Sequence, residues 1–112
     1  MVILRFKQWL NNEHYCGEIN IDSKVTGYGK VQGYSWCLSS TSTTIVIEIA
    51  EDQSIDSKSL PLVGYGCGGW VYEQPLTKNE NDILAIINTA MMLFRENKMT
   101  YFPAVTCSCS DL

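Results

Sequence analysis

Between Tyr15 and Ala50 the chain repeats a period of two, and this pattern leaves few folds open. Tyr15, Gly17, Ile19 and Ile21 alternate with Cys16, Glu18, Asn20 and Asp22. Residues 25–38 alternate again, with Tyr28, Tyr34, Trp36 and Leu38 on one parity and Val25, Gly27, Gly29, Val31, Gly33 and Cys37 on the other. Residues 43–50 set Ile45, Ile47 and Ile49 on one side of a β-branched run. Successive side chains of a strand point to opposite faces, so each segment reads as a strand with one buried face. The glycines on one parity of 25–38 predict a bend, a bulge or a close backbone approach.

Flanking segments extend the pattern. Residues 2–10 fit both the helix and the strand template; the Asn11-Asn12 turn and the strand after it favour a strand, paired with 15–22 as a hairpin. Residues 39–42 are a polar turn, residues 51–59 an acidic loop, and residues 60–63 and 70–73 short strands around a glycine cluster. The period then changes. Ile83, Leu84, Ile86, Ile87, Ala90, Met91, Leu93 and Phe94 cover about half of a helix circumference. Thr77 and Glu80 have the spacing of a capping box, acidic Glu80 and Asp82 begin the segment, and Arg95 and Lys98 end it, matching the helix dipole. A stripe that wide must lie on a sheet. The expected fold is α+β: a mainly antiparallel sheet of about five strands with one long C-terminal helix packed on it. The 112 residues make one domain, with 104–112 read as either a last strand or a flexible Cys-containing tail.

Charge narrows the function classes. Net charge is −4, and the middle of the chain carries the excess. Residues 43–82 hold seven carboxylates against two lysines, while residues 1–42 hold four cations against three carboxylates. An acidic centre disfavours direct nucleic-acid binding, which needs a basic footprint, and suits a basic protein partner. No apolar run reaches the ~18 residues of a membrane span, and Arg5, Lys7 and Gln8 interrupt the N-terminal run where a signal peptide would be apolar. The five cysteines, Cys16, Cys37, Cys67, Cys107 and Cys109, are an odd number, which speaks against a full disulfide framework and for a reducing, cytoplasmic setting. Cys37 and Cys67 read first as small buried hydrophobes.

Several strings carry potential chemistry. Residues 64–69 satisfy G-x-G-x-x-G, but a phosphate cradle of that type needs a helix opening at the glycines, and Trp70-Val71-Tyr72 reads as extended. His14, Cys16, Cys107 and Cys109 would supply one imidazole and three thiolates to a zinc ion, with one-residue spacings unlike common zinc modules. Cys67, among glycines, is the candidate nucleophile of a thiol enzyme, with a single histidine in the chain to serve it. Glu51, Asp52 and Asp56 lack the order of an EF-hand and read as a solvated loop.

Aromatic and acidic residues in the same stretch carry the leading expectation: a non-catalytic protein-binding module, of inhibitor or immunity type, that neutralises a basic partner such as a nuclease toxin. The expected contact residues are Tyr34, Trp36, Glu48, Glu51, Asp52, Asp56, Trp70 and Glu73. No cofactor is expected. The rival reading is the small metal- or thiol-dependent protein, and a third is a homo-oligomer pairing through aromatic strands.

Overall fold

The computed structural model describes residues 6–11, 15–51, 53 and 68–102. These form seven strands and one helix: β1 (Phe6–Asn11), β2 (Tyr15–Ile21), β3 (Val25–Val31), β4 (Tyr34–Ser40), β5 (Thr44–Ala50), β6 (Gly69–Pro75), α1 (Glu80–Arg95) and the three-residue β7 (Thr100–Phe102). The strands lie side by side in chain order in one antiparallel sheet. The fold is the expected α+β arrangement, with more strands than the anticipated five. The extra strands have identifiable sources. The alternating run 25–38 is two strands, because Gln32 (φ 51) and Gly33 (φ 86) make a tight turn inside it. The turn exchanges the parities, so Tyr28 lies on the opposite face from Tyr34, Trp36 and Leu38 instead of beside them. Left-handed backbone at two successive residues suits the twist of a hairpin, and glycine adopts it without steric cost. The turn expected at 39–42 begins later, since Ser39 and Ser40 still pair with Val46 and Ile45. There Thr41 Oγ1 accepts hydrogen bonds from the Thr43 and Thr44 amides.

The helix begins two residues later than the capping-box expectation. Asn79 is the N-cap, with Oδ1 accepting from the Asp82 amide at 3.1 Å, and Thr77 accepts from the Asn79 amide one step upstream. An Asn closer to the first helical turn competes better for its unpaired N–H groups. At the other end Lys98 N donates to Leu93 O and Asn97 N to Phe94 O, with Asn97 at φ 59. This is a Schellman ending, and it puts Lys98 beyond the last turn.

One face of the sheet is the core. Ile19, Val25, Val31, Trp36, Ile45, Ile47 and Ile49 are fully buried and meet Ile83, Ile87, Ala90, Met91 and Phe94 of α1. Tyr15 ties sheet to helix by donating its hydroxyl proton to Asn88 Oδ1. Trp36 fits because Gly17 and Gly29 lie opposite each other beside it. A Cβ on Gly17 would stand 2.6 Å from the Trp36 ring, and one on Gly29 would stand 2.6 Å from Gly17 Cα. The glycines in β2 and β3 thus make the slot that the indole fills, which is the close approach their placement implied. Across the sheet Trp36 Nε1 donates to Cys16 O at 3.1 Å, so its one polar atom is satisfied. Among the described residues no helix is long and apolar enough to cross a membrane. The strand expected at 60–63 and the tail 104–112 lie outside the described residues.

Candidate interaction surface

Antiparallel strands bring distant residues to common ends of the sheet. The start of β4, the end of β5, the start of β6, the end of α1 and β7 all meet at one end. Tyr34, Trp70, Phe94 and Tyr101 form a continuous aromatic cluster there. Phe94 stands edge-on to Trp70 (ring centroids 4.8 Å) and to Tyr34 (5.5 Å), and Tyr101 tilts against Trp70 (5.1 Å). Edge-to-face contacts at these separations add about 0.5–1.5 kcal/mol each beyond area burial, so the cluster is held rigidly before anything touches it. Phe94 anchors it in the core, Tyr34 and Trp70 are half-buried, and Tyr101 is 42% exposed. Tyr101 donates its hydroxyl proton to the Glu51 carboxylate. That bond first, and the carboxylate's charge with it, raises the Tyr101 pKa above the ordinary phenol value. Phe102, 44% exposed, lies on the other face of the same strand. β7 is the outermost of the described strands on this side of the sheet.

The expected contact residues separate into four groups. Tyr34, Trp70 and Glu51 are brought together at this end. Trp36 and Glu48 are not on the surface: Trp36 is a core residue of the helix-covered face, and Glu48 is 8% exposed on the opposite face. For Trp36 the reason is its parity, which aligns it with Gly29 and Ile49 under the helix. Glu73 is exposed beside Val46 on the face opposite the helix, away from the cluster. Asp52 and Asp56 lie outside the described residues. Tyr101 and Phe102 were not anticipated. Their signal was present as an aromatic pair before Pro103, but three residues are too few for an alternation to show.

Glu48 has a setting of its own. It lies opposite Cys37 on β4 and Val71 on β6, and among the described residues its Oε2 has no hydrogen-bond partner. Burial pushes its carboxyl up to about 7. Burial first, and then the Glu48 charge, push the Cys37 thiol up to about 12, against a hydrogen bond from the Glu48 backbone. A thiol with that pKa stays protonated at neutral pH and is a poor nucleophile. Cys37 is thus the small buried hydrophobe expected of it.

Of the metal and thiol candidates, Cys16 is half-buried in β2, while His14, Cys67, Cys107 and Cys109 lie outside the described residues. Among the described residues no group of three or more His, Cys, Asp or Glu could hold a metal ion. The glycine string runs into a strand: Gly69 opens β6 opposite Ala50. No known protein family, curated protein or solved structure matches the chain.

Proposed function

We propose that this chain is a non-catalytic protein-binding module of inhibitor type, acting in the cytoplasm by covering a basic site on its partner. The observation that carries the reading is the preassembled aromatic cluster, with Tyr101 exposed and bonded to Glu51, on the outermost described strand. Rigid, half-buried aromatic rings lose little entropy on binding and are the residues that most often dominate interface energy. A carboxylate beside them, in a chain of net charge −4, adds the field that draws in a cationic surface. An immunity-type protein facing a nuclease toxin has this chemistry, because a nuclease must present positive charge to phosphates. The contact residues under this reading are Tyr34, Glu51, Trp70, Tyr101 and Phe102, with Asp52, Asp56 and Glu73 contributing longer-range charge.

The test is capture of partners on the immobilised chain at low and at high salt, beside the variants Tyr101→Ala and Glu51→Lys. One stoichiometric basic protein should be retained at low salt, released at high salt, and lost from both variants. Capture that both variants leave unchanged, or no capture at all, would overturn the reading.

A further inference from the structure

The opposite end of the sheet holds a site of the reverse charge. The β2–β3 turn, the β4–β5 turn and the connection from β6 into α1 enclose a cleft of about 420 Å³. Ser23, Lys24 and Lys78 line it together with Ser40 and Ser42, and Leu76 gives it an apolar wall. None of its described lining residues is acidic, although the chain as a whole is.

Some lining groups are already engaged in hydrogen bonds and others keep donors to spare. Thr41, also in the lining, is committed: its Oγ1 accepts two backbone amides and shares a proton with Thr44 Oγ1. Ser40 Oγ accepts from the Val25 amide at 2.9 Å, which leaves its own proton to donate. Lys78 Nζ donates once, to the Ser23 carbonyl oxygen at 3.0 Å, bracing the cleft from the helix side and keeping two further protons. The side chains of Ser23, Lys24 and Ser42 have no hydrogen-bond or ion-pair partner among the described residues. Two lysines and three serines with donor capacity to spare therefore line one concave space. A carboxylate would leave much of this donor set unused. A tetrahedral phosphate dianion, with three terminal oxygens that each accept more than one bond, matches it in charge and donor count.

We infer that this cleft binds the phosphate group of a small phosphate monoester, with Lys24 and Lys78 matching its charge and Leu76 contacting its organic part. The cleft and the aromatic cluster sit at opposite ends of the same strands, so this site does not depend on the protein-binding reading.

The experiment is an amide NMR titration of the intact chain with inorganic phosphate and with phenyl phosphate, against sodium chloride at matched ionic strength. The amides of Ser23, Thr41 and Ser42 should shift saturably with both phosphates and not with chloride. Phenyl phosphate should bind several-fold more tightly, through Leu76. The double variant Lys24→Gln, Lys78→Gln should weaken binding at least about tenfold, since it removes both cations that match the phosphate charge. Both lysines are exposed, so the fold should persist, and unchanged core amide signals would verify it. Ser42→Asp, which puts a negative charge in the cleft, should abolish binding independently. Shifts that follow ionic strength alone, or binding retained in these variants, would overturn the site. Phenyl phosphate binding no more tightly than phosphate would overturn the monoester assignment.

Discussion

The two faces of the sheet are built from alternate residues of the same strands, yet they obey different rules. Under the helix, every strand from β2 to β5 contributes apolar side chains, and the polar atoms of Tyr15 and Trp36 have partners. On the opposite face, Tyr28 and Lys30 are exposed and reach across to Glu18 and Ser35 at 2.8 Å, while Cys37 and Glu48 are buried side by side. The first face holds the fold through area and fit. The second holds a carboxyl oxygen with no partner among the described residues, which costs stability wherever the carboxyl is ionised. Among the described residues the one helix of this meander covers a single face. The other side of its sheet is where charge, and with it dependence on conditions, accumulates.

The sharpest way to break this comparison is to truncate matching aromatic residues on the two faces. Trp36→Ala should cost about 3–5 kcal/mol in denaturant unfolding, because the Gly17–Gly29 slot beneath the ring cannot collapse to fill the cavity. Tyr28→Ala, at a position 45% exposed, should cost less than about 1 kcal/mol. Equal losses would show that the second face is also a core.

Next in size is the buried carboxyl. Glu48 has a folded pKa of about 7, above its unfolded value of 4.5, so the folded state holds its proton longer. Its contribution is fully present below about pH 4.5, declines as pH rises towards 7, and is gone above that. The loss should be of order 2–3 kcal/mol between pH 4.5 and 8. Unfolding measured at both pH values should show Glu48→Gln with a smaller decline than the wild type. Parallel declines would mean that Glu48 is solvated or paired.

Two smaller effects separate binding from stability. Tyr101→Ala should lower partner affinity at least about tenfold, as expected of an interface anchor. It should change unfolding by less than about 1 kcal/mol, because the residue is 42% exposed at the end of the sheet. Calorimetric binding and thermal unfolding of the same sample would check both. Asn97→Gly should stabilise the chain by about 0.5 kcal/mol in thermal unfolding, since its φ of 59 suits glycine better than asparagine.

Much of the fold was legible because periodicity is a local property. β2, β5 and the buried stripe of α1 follow from the spacing of Ile, Tyr, Leu and Phe alone. The division of 25–38 was less visible: Gln32-Gly33 is a weaker turn signal than Asn-Gly, and the apolar alternation runs across it. The interaction surface was half legible. Tyr34, Glu51 and Trp70 could be chosen by residue type, but the choice also caught Trp36 and Glu48, because type does not report burial. Tyr101 could not be found that way, since it joins the site only when β7 returns beside β6 after the helix.

The sequence by itself determined the class of the fold, the facing of β2 and β5, the apolar stripe of the helix and the acidity of the chain's centre. These depend on neighbours a few positions apart, whose relation the backbone geometry dictates. The tertiary structure decided which parity the helix would cover, and so why Trp36 is core and Glu48 carries a raised pKa. It also decided that Tyr101 meets Glu51, and that Lys24 and Lys78 face one cleft across 54 positions of sequence. Those relations come from the order and register of strand pairing, which is settled by the packing of the whole sheet against one helix.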